Sequence, residues 1–122
     1  MIAGTVTANR EAIVPLLVVG PAGHEVIEAV LDTGFDGSLT LPPILVSRLQ
    51  LAWRQRGRAL LADGSASFFD IHEGGVDWDG QLTRVAVDAV DSVPLIGMRL
   101  LEGFELTIQV RANGRVTIVV LP

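Results

Sequence analysis

The sequence predicts a mainly β chain, folded as a small barrel or sandwich. Three observations carry this: apolar and polar residues alternate with a period of two, turn-forming residues separate the alternating runs, and only two short stretches have helical character. In chain order, Ile13 to Val19 and Glu25 to Leu31 flank Gly20-Pro21-Ala22-Gly23 as a first hairpin. Pro42-Pro43 opens a short helix over Ile44 to Leu49, because a proline in the first helical turn forfeits no intrahelical hydrogen bond. A second hairpin runs from Arg58 through a turn at Asp63-Gly64 to Phe69 and beyond, and a third uses Asp79-Gly80 between Val76–Trp78 and Leu82–Val87. Met98 to Leu101 make about one helical turn, closed by Gly103. Phe104, Leu106, Ile108 and Val110 alternate with Glu105, Thr107 and Gln109, as a strand with one buried face does. Asn113-Gly114 then reads as a two-residue type I′ turn leading into a partner strand, Arg115 to Leu121.

The chain has 122 residues, a length suited to one domain spanning 1–122. With 49% hydrophobic and 19% charged residues, a packed core is expected rather than disorder. There is no cysteine, which removes disulfides, thiolate nucleophiles and cysteine-based zinc sites. The two histidines, His24 and His72, are too far apart in sequence to suggest a His-led metal site, and neither metal nor cofactor is expected. All nine cations are arginines, so lysine Schiff bases and lysine-dependent phosphate loops are excluded. A net charge of -5 gives no electrostatic support to nucleic-acid binding. No leader is visible at the first residues and no apolar run is long enough to span a bilayer, so a cytoplasmic protein without membrane contact is the expectation. Carboxylates and hydroxyls remain as the catalytic resource.

The segment Val30-Leu31-Asp32-Thr33-Gly34-Phe35-Asp36-Gly37-Ser38 is the most informative. Apolar residues run straight into Asp32, so its carboxylate leaves the end of a core strand. Gly34 permits a sharp reversal, and Thr33 offers a hydroxyl to brace the loop. By itself this is a turn aspartate. About 60 residues on, Val93-Pro94-Leu95-Ile96-Gly97 is a second apolar segment ending in glycine before a short helix.

This pair of anchors, with the hairpin around Leu60-Leu61-Ala62-Asp63-Gly64-Ser65 between them, resembles the retropepsin-like aspartic proteases, and most of all their prokaryotic D-T-G-F group. The resemblance spans roughly Ile13 to Val110. It implies a small closed barrel of the acid-protease type and an endopeptidase acting on peptide or protein substrates. In such enzymes two aspartates share one proton; the ionised one takes a proton from a water, and the protonated one hydrogen-bonds the scissile carbonyl. This chain carries a single D-T-G, so the resemblance implies a homodimer with one Asp32 from each copy. Asp32 resembles the catalytic aspartate, Thr33 the residue whose hydroxyl reaches the partner's backbone, and Gly34 the glycine whose carbonyl faces the bound peptide. Asp36 resembles an aspartate that holds substrate backbone, and Ile96 belongs to the second anchor beside the same groove. Ala62, Asp63, Gly64 and Ser65 would form the tip of a flap that closes over the peptide. Phe35 stands where retroviral members carry a small residue; its ring either lines a binding pocket or packs beneath the loop. Retroviral members also carry an arginine directly after the second glycine. Here Met98 fills that position and Arg99 comes one residue later, about 100° around a helix, so their dimer-supporting ion pair is not expected. A catalytically silent module of the same fold, dimerising or binding peptide without cutting it, is the alternative.

Val116, Ile118 and Val120 mark one apolar face of the last strand, and Val119 and Leu121 make the other partly apolar. The hairpin Phe104 to Leu121, with Ile2 to Ala8, is therefore a candidate subunit interface. Arg54, Arg56 and Arg58 alternate and are expected on one solvated or ion-paired face. Asp77-Trp78-Asp79-Gly80 reads as a hairpin turn rather than a calcium loop, which needs more ligands.

Overall fold

In the computed structural model, which describes Met1–Pro122, the elements follow one another as β1 (Ile2–Val6), β2 (Ala12–Gly20), β3 (Gly23–Leu31), β4 (Leu39–Leu41), α1 (Pro43–Arg48), β5 (Ala52–Leu60), β6 (Ala66–Trp78), β7 (Gln81–Ala89), β8 (Leu95–Ile96), α2 (Met98–Leu101), β9 (Phe104–Ile108) and β10 (Arg115–Val120). Strands hold 57% of the residues and the two short helices 8%, so the predicted β character and both helices are present.

Six strands close a barrel in the order β6-β7-β4-β8-β3-β2, and β2 returns to β6 through Val18↔Val76 and Val19↔Gly75. Period-two alternation fills it. Val14, Leu16 and Val18 of β2 are at most 2% exposed, and they meet Val76, Val87, Leu39, Leu41 and Ile96, all fully buried. β4 is buried at every residue, which is why its three positions are apolar or hydrogen-bonded rather than alternating. Leu45, Val46, Leu49 and Leu51, on and just after α1, join the same core. No helix is long and apolar enough to cross a membrane.

Two pairings in the ring are parallel. β3 runs beside β8 through Val30↔Leu95 and Leu31↔Ile96, and β4 beside β7 through Leu39↔Val87 to Leu41↔Ala89. β8 and β4 are antiparallel neighbours through Leu39↔Ile96 and Thr40↔Leu95. The two sequence anchors thus become adjacent strands.

The turn chemistry divides. Asp79 and Gly80 have φ of 54° and 82° and join Trp78 to Gln81 directly, as a type I′ hairpin requires. The Asn113-Gly114 turn is not of this kind. Only Asn113 has positive φ, at 63°, and the connection is a longer loop in which Gln109 N–H already donates to the Arg115 carbonyl at 2.9 Å. Gly114 is needed for space instead: a Cβ there would lie 1.9 Å from the Gln109 carbonyl oxygen. β9 accordingly ends at Ile108, and Val110 is exposed.

Outside the ring, β1, β10 and β9 extend the sheet from β2 in that order. Val116 and Ile118 of β10 are fully buried within the chain itself, whereas Val119, Val120 and Leu121 are exposed. On the other side β5 pairs only with β6, so the two form an arm. It begins at Ala52, six positions before the predicted start at Arg58, and nearly all of β5 is exposed. A β-bulge between Trp53 and Gln55 sets Arg54 apart from Arg56 and Arg58. Arg54 turns to the Glu73 side and pairs with it, while Arg56 lies over the Phe68 ring at 5.0 Å.

Candidate active site

The D-T-G loop grows from the parallel pair β3–β8. One residue past β3, the Asp32 N–H still follows the ladder and donates to the Ile96 carbonyl at 2.9 Å. The chain then folds back: the Gly34 N–H donates to Asp32 Oδ1 at 2.9 Å and the Phe35 N–H to the Asp32 carbonyl at 3.2 Å. Asp32 is half-buried with its carboxylate oriented by the loop's own backbone, and Thr33 and Gly34 are exposed. The Thr33 hydroxyl has no hydrogen-bond partner within the chain.

The second anchor holds the far side of the loop. The N–H groups of Gly97, Met98 and Arg99 donate in turn to the carbonyls of Ser38 (3.0 Å), Phe35 (2.8 Å) and Gly37 (3.1 Å). The first turn of α2 thereby has its free N–H groups taken up by loop carbonyls. The approach is possible because position 97 has no side chain: a Cβ there would lie 2.2 Å from the Gly37 oxygen and 2.7 Å from the Phe35 oxygen. The Phe35 ring closes on the same spot, with a Cβ at Gly37 falling 2.5 Å from its Cζ and one at Gly97 falling 2.5 Å from its Cδ2. Of the two placements open to Phe35, packing against the loop's own glycines is the observed one. Beneath, the buried Thr40 Oγ1 accepts the Leu95 N–H at 2.9 Å.

Asp36 is exposed and shares a cleft of about 320 Å³ with Met98, Arg99 and Glu102. Arg99 makes no ion pair there. Asp88, on β7 opposite Thr40, is held above the ordinary carboxylate range, foremost by its burial and then by the charge of Asp36. Two carboxylates therefore sense one another beside the loop.

Ala62, Asp63, Gly64 and Ser65 lie together at the tip of the arm. Their hydrogen bonds stay within the turn. The Leu61 N–H donates to the Ser65 carbonyl at 2.8 Å and the Gly64 N–H to the Leu61 carbonyl at 3.0 Å, with Gly64 at φ 86°. Asp63 Oδ1 accepts the Ser65 hydroxyl at 2.6 Å and the Ser65 N–H at 2.9 Å, and these bonds, the hydroxyl's first, lower its pKa. The structure thus brings Asp32, Thr33, Gly34, Phe35, Asp36 and Ile96 into one unit and Ala62 to Ser65 into another, with no hydrogen bond joining the two.

Sequence reasoning passed over Ser38 and Thr40 and gave Asp88 no role beyond that of a strand-edge polar residue. Ser38 and Thr40 are the only polar side chains among the buried residues, and a Thr between two leucines was the available signal. Asp88 reads as an edge residue because nothing local shows that β7 runs beside β4.

Compared with protein-family models and with curated proteins, the chain matches none.

Proposed function

We propose that this chain is one half of an aspartic endopeptidase with a retropepsin-like barrel, working as a homodimer in which Asp32 of each copy activates water for peptide-bond hydrolysis. One observation carries the reading. The strand that runs into D-T-G and the strand Leu95-Ile96 that runs into Gly97, distant in sequence, are adjacent and parallel, and their ends are tied by the Asp32 N–H bond to Ile96 and the bonds of Gly97, Met98 and Arg99 to the loop. A turn aspartate needs no such brace, whereas a carboxylate that must meet a second one does.

In the proposed dimer the two Asp32 carboxylates share one proton, since like charges at about 3 Å cannot both ionise readily. The pair titrates as a unit. The ionised member takes the proton of a water that attacks the scissile carbonyl, and the protonated member donates to the carbonyl oxygen. Thr33, without a partner in its own chain, bonds across the two-fold axis. The arm tip covers the peptide and excludes water.

The test is peptide cleavage across acidic to neutral pH by the wild type and Asp32→Asn, with sedimentation to read assembly. Asparagine keeps an oxygen that accepts the Gly34 N–H, so fold and dimer persist. Cleavage falls by about a thousand-fold or more, within the range of losing general acid–base chemistry and the nucleophile it activates. Peptide binding without turnover in the wild type would assign the chain to the silent-module alternative. A wild type that stays monomeric with peptide present would reject the endopeptidase reading, and one that also binds no peptide would reject both.

A further inference from the structure

We propose that Glu73 is a clasp that sets the angle at which the β5–β6 arm leaves the barrel. β6 changes role along its length. From Asp70 to Trp78 it is flanked by β7, and near Val76 also by β2. From Ala66 to Phe69 it has only β5 beside it, so the arm beyond Asp70 is a two-stranded ribbon. Such a ribbon is marginally stable and strongly twisted by itself, so its direction is set at its root.

Three features coincide there. The β-bulge between Trp53 and Gln55 bends β5. Gly74-Gly75 follows on β6 with no side chains to brace the bend. Between them, Glu73 is the only carboxylate in the chain shared by two guanidinium groups. Its Oε2 accepts Arg54 Nε from β5 at 2.6 Å, and its Oε1 lies 3.3 Å from Arg84 Nη1 on β7. The Glu73 side chain is 23% exposed, while Arg54 and Arg84 are 54% and 86% exposed, so each pairing is a solvent-facing one of modest strength and the clasp rests on Glu73 joining both neighbours at once. One group on the middle strand thus holds both flanking strands within the three-stranded stretch, three residues from where the ladder narrows to two strands at Asp70. On the opposite face the Trp53 indole N–H donates to Asp70 Oδ1 at 3.0 Å, so the root is braced on both sides.

The clasp stands on this geometry alone. Its consequence for peptide rests on the endopeptidase reading: the angle of the arm sets the height of the Asp63–Ser65 tip over the site, so losing the clasp raises KM more than it lowers kcat. Hydrogen exchange read by mass spectrometry tests it. In Glu73→Gln the amides of 55–69 exchange about five-fold faster, while those of β2 and β3 keep wild-type protection. Arg54→Gln gives a similar change, the double variant little more, and Arg84→Gln, which loses the longer contact, a smaller one. Unchanged exchange in the arm, or equal acceleration in arm and barrel, overturns the proposal. If Glu73→Gln fails to fold, Arg54→Gln and Arg84→Gln decide it. Faster arm exchange in a protein that cleaves no peptide would leave the clasp standing and reject the endopeptidase reading.

Discussion

Adding one methyl group at position 97 isolates the packing of the two anchors. Gly97 has φ −105° and ψ −179°, a conformation open to any residue, so Gly97→Ala carries no backbone penalty. Its effect is steric. The new Cβ would lie 2.2 Å from the Gly37 oxygen, 2.5 Å from Phe35 Cδ2 and 2.7 Å from the Phe35 oxygen. Ordinary contact requires the loop to retreat by about 1 Å. That retreat pulls on three hydrogen bonds at once, from Gly97 to Ser38 at 3.0 Å, Met98 to Phe35 at 2.8 Å and Arg99 to Gly37 at 3.1 Å. At about 1 kcal/mol each, with about 1 kcal/mol for the strained packing, the expected loss is roughly 3–4 kcal/mol. Against a typical total of about 5–15 kcal/mol this is a large share. Urea unfolding reads it as a fall in midpoint at constant slope. Gly34→Ala is the matched control, because its nearest neighbour is the Asp32 carboxylate oxygen at 3.2 Å, and it should cost less than about 1 kcal/mol. Phe35→Leu should not rescue Gly97→Ala, since the two carbonyl contacts remain. A Gly97→Ala protein within about 0.5 kcal/mol of wild type, or a Gly34→Ala protein as unstable as Gly97→Ala, would refute the reasoning.

Thr40→Val keeps shape but removes the acceptor of the part-buried Leu95 N–H, and should destabilise by about 1–2 kcal/mol in the same urea assay; a neutral result would mean that the N–H finds another acceptor. Asp88→Asn should make stability less pH-dependent. The folded-state pKa of Asp88 is raised above 3.8, so the folded chain holds this proton more tightly than the unfolded one. Its contribution is intact below the unfolded value and is lost as pH rises through the raised one. The thermal midpoint of Asp88→Asn should therefore exceed that of wild type at pH 7 and match it at pH 3, and an equal difference at both would show that the charge is not the cause.

The D-G turn at Asp79-Gly80, the helix after Pro42-Pro43 and the alternation of β2, β9 and β10 were legible because each depends on residues a few positions apart. Asn113-Gly114 misled for the same reason: the dipeptide fits a tight turn, but the Gln109 N–H donates to the Arg115 carbonyl and the Asn113 N–H to the Val6 carbonyl, and these bonds draw the loop into a longer path. The arm's early start at Ala52 was hidden because both of its faces are solvated, so the period-two signal fades. At the candidate site, Asp32 and its loop could be singled out from sequence, and so could Ile96-Gly97.

What the sequence determined by itself is therefore local: a β chain with two short helices, a strand-end carboxylate before a glycine turn, and no cysteine or lysine chemistry. The tertiary structure decided which of these meet. Parallel pairing of β3 with β8 joins segments some 60 residues apart, β7 brings Asp88 beside the Asp36 loop, and closure of β2 on β6 makes a barrel of the hairpins. Such contacts are set by which buried faces can close around one core, a property of the whole chain that no short window of residues contains.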